Sequence, residues 1–157
     1  MNVDMSLRSW RDEDDIRSSQ MSRVQLALNV TDIDAAVDFY GRLFGAEPAK
    51  RRPGYANFAI DQPPLKLVLI EAAEGGTLNH LGVELADTEE VSVASDRLVT
   101  SGLKTREEMG VECCYALQDK VWVSDPDGAP WEWYTVLADS PTMEANADCC
   151  VGETACC

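Results

Sequence analysis

The sequence predicts an α+β fold built from two paired βαβββ modules, and three observations carry that prediction. Gln25-Leu26-Ala27-Leu28-Asn29-Val30-Thr31-Asp32 returns as His80-Leu81-Gly82-Val83-Glu84-Leu85-Ala86-Asp87, a constant offset of 55 residues that persists to Arg42-Leu43 against Arg97-Leu98. Each copy opens with strict alternation, Val24, Leu26, Leu28 and Val30 in the first and Leu81, Val83 and Leu85 in the second. Period-two alternation marks a half-buried strand. Each strand then meets an aspartate suited to cap a helix, Asp32 or Asp87.

The helices follow from Ile33, Ala36, Val37, Tyr40 and Leu43 at helical spacing, and from Val91, Ala94 and Leu98 in the second copy. Gly45 and Gly102 stop them. Three short strands are then expected in each half. In the first they lie around 47–51, 55–60 and 65–71, parted by Pro53-Gly54 and Pro63-Pro64; in the second around 104–109, 120–124 and 131–137, with Asp125-Pro126-Asp127-Gly128 turning between the last two. A half this short cannot easily bury both faces of its own sheet, so the two halves should pair.

Composition bounds the function. The chain has 157 residues, 45% of them hydrophobic, which suits one domain with a sizeable core. A net charge of −15 argues against nucleic acid, whose phosphates need clustered Lys and Arg. No apolar run is long enough for a membrane span and no signal-peptide pattern is present, so a cytoplasmic protein is expected. Residues 1–20 contain Asp12, Glu13, Asp14 and Asp15 and no sustained apolar periodicity, and read as a disordered or upstream-start extension before Met21. Residues 138–157 carry no Lys or Arg and read as an acidic, cysteine-rich flexible tail. The folded domain is expected over 21–137.

All six cysteines come as adjacent pairs, Cys113-Cys114, Cys149-Cys150 and Cys156-Cys157. Neighbouring Cα atoms lie about 3.8 Å apart, too close for an ordinary disulfide at ~4.4–6.8 Å. Adjacent thiolates can instead converge on one thiophilic atom, such as trivalent arsenic or Cd(II). Cys113-Cys114 is expected in a loop between two strands of the second half, reaching the mouth of a cleft. The other two pairs fall in the tail.

The twofold βαβββ pattern, with Asp-Pro-Asp-Gly before a last strand bearing Glu132, resembles the vicinal oxygen chelate fold of glyoxalases, extradiol dioxygenases and bleomycin-resistance proteins. Residues 22–28 (Ser-Arg-Val-Gln-Leu-Ala-Leu), 52–60, 63–69 and 113–123 (Cys-Cys-Tyr-Ala-Leu-Gln-Asp-Lys-Val-Trp-Val) resemble more narrowly the C–As lyase/cadmium-induced protein group. Alternation sets Gln25 and His80 on the strand faces opposite their apolar neighbours, at equivalent places in the repeat. Glu132, between Trp131 and Trp133, can complete a metal-binding set with them. Matching 65–67 to 131–133 puts Lys66 at the fourth-ligand position of that fold, where a protonated amine cannot ligate. Three ligands leave positions open, the arrangement non-haem Fe(II) uses to bring oxygen and substrate together.

These features imply an Fe(II)- and O2-dependent C–As lyase. Gln25, His80 and Glu132 would hold the metal, and Cys113 and Cys114 a trivalent organoarsenical. The alternatives are a protein that sequesters Cd(II) or arsenite through its thiols without chemistry, and another metalloenzyme of the glyoxalase superfamily. No nucleic-acid or membrane partner is expected, and both a monomer and a homodimer are compatible with the sequence.

Overall fold

A computed structural model describes residues 22–143. The element order is β1(Arg23–Val30), α1(Ile33–Phe44), β2(Lys50–Arg52), β3(Tyr55–Ile60) and β4(Leu65–Glu71), then β5(Thr77–Glu84), α2(Thr88–Thr100), β6(Thr105–Cys113), β7(Ala116–Ser124) and β8(Pro130–Asp139). The two βαβββ halves thus form as expected. The extension over 1–20 and the tail pairs Cys149-Cys150 and Cys156-Cys157 lie outside the described residues.

Local chemistry sets the ends of the helices. Asp32 accepts a hydrogen bond from the Ala35 amide and Asp87 one from the Glu90 amide, satisfying backbone donors that a first helical turn leaves open. Gly45 closes α1 at φ 61°, a left-handed conformation that costs glycine little. At the end of α2 the capping residue is Ser101, and Gly102 takes the left-handed conformation one position later.

All eight strands join one mixed sheet in the order β2-β3-β4-β1-β5-β8-β7-β6. Its centre is the antiparallel pairing of β1 with β5, in which Gln25 faces Gly82, Leu26 faces Leu81 and Ala27 faces His80. Leu26 therefore sits opposite the residue 55 positions on, and this pair lies on the pseudo-twofold axis of the repeat. Both helices cover one face of the sheet. α1 packs Ile33 and Val37 against Ala56, Phe58, Ile60, Leu67 and Leu69; α2 packs Val91, Ala94 and Leu98 against Val121, with Val83 and Trp133 beside them. The opposite face curls into a cleft. Across its rim the Tyr115 hydroxyl donates to the Pro53 carbonyl at 3.1 Å, and Lys50 pairs with Asp139.

The second half departs from expectation in its hairpin. β6 and β7 have 9 residues each, where the sequence predicted shorter strands around 104–109 and 120–124. The cysteine pair is consequently not in an open loop. Cys113 is the last residue of β6, and Cys114 with Tyr115 forms the two-residue turn into β7. Both turn residues have positive φ, 54° and 60°, the geometry that matches the twist of a hairpin but is normally filled by Asn-Gly or Gly-Gly. Each non-glycine residue in this region is strained by about 1 kcal/mol or more. Tyr115 makes the contacts that hold it there. Its amide donates to Thr142 O at 3.0 Å, its carbonyl accepts from Ser140 N at 2.9 Å and Lys50 Nζ at 3.0 Å, and its ring lies 5.6 Å from that of Tyr55.

Strand β8 accordingly runs to Asp139, past the boundary expected at Leu137, and residues 140–143 fold back against the cysteine turn. A chain ended after Leu137 should be less stable than one ended after Met143 by about 1–3 kcal/mol, the worth of one to three lost hydrogen bonds. Urea denaturation of the two proteins, followed by tryptophan fluorescence, measures the difference.

Candidate metal centre

The β1–β5 pairing brings Gln25 and His80 to the same place, and the parallel pairing of β5 with β8 sets Glu132 level with Gly82 beside them. Gln25, His80 and Glu132 are only 3–4% exposed. Gln25 Nε2 lies 2.9 Å from His80 Nε2 and 2.5 Å from Glu132 Oε1, and His80 Nε2 lies 3.1 Å from Glu132 Oε1. Three neighbouring ligands on one metal, with bonds of ~2.1 Å at right angles, would be separated by about 3.0 Å. The separation of His80 and Glu132 fits that requirement, whereas Gln25 presents its amide nitrogen to them and not its oxygen. Among the described residues no three His, Cys, Asp or Glu side chains are grouped to hold a metal, so a third ligand beside His80 and Glu132 would have to be the Gln25 amide.

Each polar atom of this set is held by a partner behind it. His80 Nδ1 lies 2.7 Å from Asn79 Oδ1, and Asn79 Nδ2 donates in turn to Asn29 Oδ1 at 2.9 Å. Asn79 Oδ1 accepts from Nδ1–H and so turns Nε2 toward Gln25 and Glu132. A bulge in β5 makes this contact possible. The register with β1 shifts between Ala27 and Leu28, so the consecutive residues Asn79 and His80 are both buried inward. Strict alternation has no signal for such a bulge, and Asn79 was not legible in the sequence.

Lys120 is a second residue that sequence reading missed. It is 1% exposed, its Nζ donates to Glu132 Oε2 at 2.9 Å, and it sits 5.3 Å from the centre of the Trp122 ring. Burial by itself would raise the Glu132 carboxyl, but the Lys120 ammonium and His80 more than offset it, and it is lowered to about 2. Lys120 engages Oε2, while Oε1 faces Gln25 and His80. The last partner is Tyr134, whose hydroxyl donates to Gln25 Oε1.

Gly82 is required by this crossing of strands. A Cβ there would come within 2.9 Å of both Glu132 Cγ and the Glu132 carbonyl oxygen, and 3.4 Å of Gln25 Cβ. Lys66 does not lie where sequence matching set it. Ala27, the repeat equivalent of Gly82, is level with Val68, so Val68 occupies the place equivalent to Glu132. Lys66 instead donates to Glu84 Oε1 at 3.1 Å. The symmetric position is apolar, which leaves the donor set at three.

The donor set opens into a cleft of about 250 Å³ whose lining includes Tyr55, Asn57, Lys66, Cys114 and Gln118. Cys114 thus shares one cavity with Gln25, His80 and Glu132. Cys113 is fully buried behind it, among Ala27, Tyr55 and Val68, and neither cysteine forms a disulfide. The two sulfurs are 3.1 Å apart, within the ~4.6 Å that one atom with two ~2.3 Å bonds to sulfur can span. Gln118 clamps the turn, donating from Nε2 to the Cys113 carbonyl at 3.1 Å. Its Oε1 is buried with no hydrogen-bond partner, a costly state that a donor on a bound ligand would relieve.

A model of the Glyoxalase/Bleomycin resistance protein/Dioxygenase superfamily matches residues 22–133. The chain belongs to this superfamily. It is 64% identical over 124 residues to the cadmium-induced protein CadI of Mycobacterium tuberculosis, covering 78% of this chain and 82% of that protein. It is 58% identical over 139 residues to a trivalent organoarsenical cleaving enzyme of Thermomonospora curvata, covering 87% and 89%. Among solved structures, the Mn(II)-bound glyoxalase of Novosphingobium aromaticivorans superposes with a TM-score of 0.55 at 21% identity, over 81% of this chain and 44% of that one. At that identity the likeness shows the fold. No helix among the described residues is long and apolar enough to cross a membrane.

Two outcomes test the site without substrate. Glu132 is ionised in the metal-free fold well below its ordinary value of 4.5, so it contributes stability above pH 4.5 that is lost as pH falls toward about 2. Glu132→Gln should remove that part of the acid dependence, read as a flatter plot of unfolding free energy against pH over this window. Gly82→Ala should displace Glu132 and weaken divalent-metal retention by at least ten-fold, measured by equilibrium dialysis.

Proposed function

We propose that this protein is an Fe(II)- and O2-dependent C–As lyase that converts trivalent organoarsenicals to arsenite and an oxidised organic fragment. The single observation that carries this reading is the common cleft of Cys114 with Gln25, His80 and Glu132. A thiol pair alone supports binding, and a metal-type donor set alone supports many reactions. Their union supports chemistry on a thiol-bound substrate. The relative described as a trivalent organoarsenical cleaving enzyme adds to it.

In this reading the chain's residues divide the work. Cys114 meets the arsenical first, because it lines the cleft, and Cys113 supplies the second bond from behind. A trivalent arsenical with two hydroxyl groups loses them as water when two thiols add, so preformed thiolates are not required. Two bonds to a strained turn, held by Tyr115 and Gln118, would fix the arsenic at the wall of the cavity. Gln25, His80 and Glu132 would hold Fe(II), which when bound supplies the one-electron and oxygen chemistry needed to oxidise the carbon on arsenic. Lys120 keeps Glu132 charged and oriented toward the set, and the surrounding burial excludes water. The protein's main contribution is proximity between two sites held on one rigid sheet.

A second reading is that the thiols sequester Cd(II) or arsenite without chemistry. The 64% identity to the cadmium-induced protein favours it. The two readings differ in what His80 does. Sequestration should survive His80→Ala, whereas lysis should not.

The test is anaerobic reconstitution with Fe(II), addition of oxygen, and arsenic speciation with methylarsonous acid and an aromatic trivalent arsenical as substrates. Iron- and oxygen-dependent release of arsenite is expected. His80→Ala and Glu132→Ala should each lower the rate by at least a hundred-fold, and Cys113→Ser or Cys114→Ser should abolish it at saturating substrate. Absence of arsenite from every substrate defeats the lyase reading, and arsenical binding retained by His80→Ala would then favour sequestration.

A further inference from the structure

The orientation of the Gln25 amide conflicts with metal ligation, and its resolution involves Tyr134. A carboxylate has only acceptors. Gln25 Nε2 stands 2.5 Å from Glu132 Oε1 and 2.9 Å from His80 Nε2, so the donor end of the amide points into the donor set. Oε1 then points away, where it accepts from the Tyr134 hydroxyl. An amide binds a cation through its oxygen, and two N–H bonds directed at the same point would repel it. His80 and Glu132 need no comparable change, since Asn79 and Lys120 already hold their far atoms.

We infer that Tyr134 is the positioning residue for Gln25, holding the amide with its nitrogen inward in the metal-free protein and outward when a divalent cation is bound. This rests on the metal-binding reading of Gln25, His80 and Glu132. A half-turn about the last side-chain bond of Gln25 exchanges its nitrogen and oxygen without moving the backbone. After that half-turn the amide N–H meets the phenolic oxygen, which must accept instead of donate. A hydroxyl carries one proton and two lone pairs, so it serves in either role by rotating its O–H. A methyl or phenyl group serves in neither. Both orientations keep Gln25 hydrogen-bonded inside a site only 4% exposed, where a lost partner is expensive. Gln25 and Tyr134 together form a two-state element that a cation biases.

Carboxylate in place of the amide removes the need for the half-turn, because both of its atoms are oxygens. That difference supplies the test. Co(II) is titrated into metal-free wild-type protein, Tyr134→Phe, Gln25→Glu and the double variant, with affinity read from calorimetry and from the Co(II) absorption bands. Tyr134→Phe should weaken Co(II) binding about ten-fold with the Gln25 amide present, and less than three-fold in the Gln25→Glu background. A second readout avoids affinity altogether. The Gln25 side-chain amide resonances, assigned by their loss in Gln25→Glu, should shift in the wild type when Zn(II) is added, as the N–H groups leave Glu132.

Equal Co(II) affinity of wild type and Tyr134→Phe overturns the inference while leaving the donor set intact. Equal weakening in both backgrounds also overturns it, since Tyr134 would then act through general packing or polarity of the cleft. No Co(II) binding by the wild type overturns the metal-binding reading itself, and this inference with it.

Discussion

The antiparallel pairing of β1 with β5 is the constraint on which the rest of the molecule depends. With Leu26 opposite Leu81, it places residues 55 apart in sequence at symmetric positions across the sheet centre. Gln25 and His80 come together for that reason, and for that reason β4 and β8 flank the centre as outer partners of β1 and β5. A slip of β1 by one residue would turn Gln25 to the helix-covered face and part it from His80. The apolar residues of β1 on that face, Leu26 and Leu28, pack with the α1 cluster and oppose such a slip. Fold stability and site geometry are thus set by one register.

Symmetry brings the site together, and departures from symmetry give its two halves different chemistry. The repeat equivalent of His80 is an amide and that of Glu132 is Val68. One half supplies an imidazole and a carboxylate, while the other supplies an amide and an apolar wall. Gly82 marks the same asymmetry, since its missing side chain makes room for Glu132 where the first half has Ala27. Lys120 has an equally asymmetric role, a buried cation that keeps one carboxylate ionised in a site with little water. The interior therefore presents a charge-balanced network before any cation arrives.

The thiol turn follows another logic. Cys114 and Tyr115 occupy left-handed positions that β-hairpins usually give to glycine or asparagine. The strain is sustained by anchors from distant parts of the chain: Pro53 and Lys50 in the first half, and Ser140 and Thr142 after the last strand. These anchors press the hairpin onto the concave face and bury Cys113 completely. A thiol pair placed in a flexible loop would have no defined distance to Gln25, His80 and Glu132. Pinned in a tight turn, it has one.

Much of this was legible in the residues. The 55-residue offset, the alternation and the capping aspartates determined two βαβββ halves and their pairing, because local propensity and periodicity act on short stretches of chain. Gln25, His80 and Glu132 could be singled out from strand parity, the repeat and the family resemblance together, and they do converge. The position of Lys66 was misjudged because matching two strands by pattern cannot fix their register, which hydrogen bonding across the sheet decides. The loop expected at Cys113-Cys114 became a turn because long-range pairing extended β6 and β7 beyond their local signal. Asn79, Lys120 and the role of Tyr134 were hidden for the same reason. Sequence periodicity tells which face a side chain takes, but a bulge, a buried ion pair and the direction of an amide depend on atoms brought from elsewhere in the chain. Those were decided only when the sheet closed on itself.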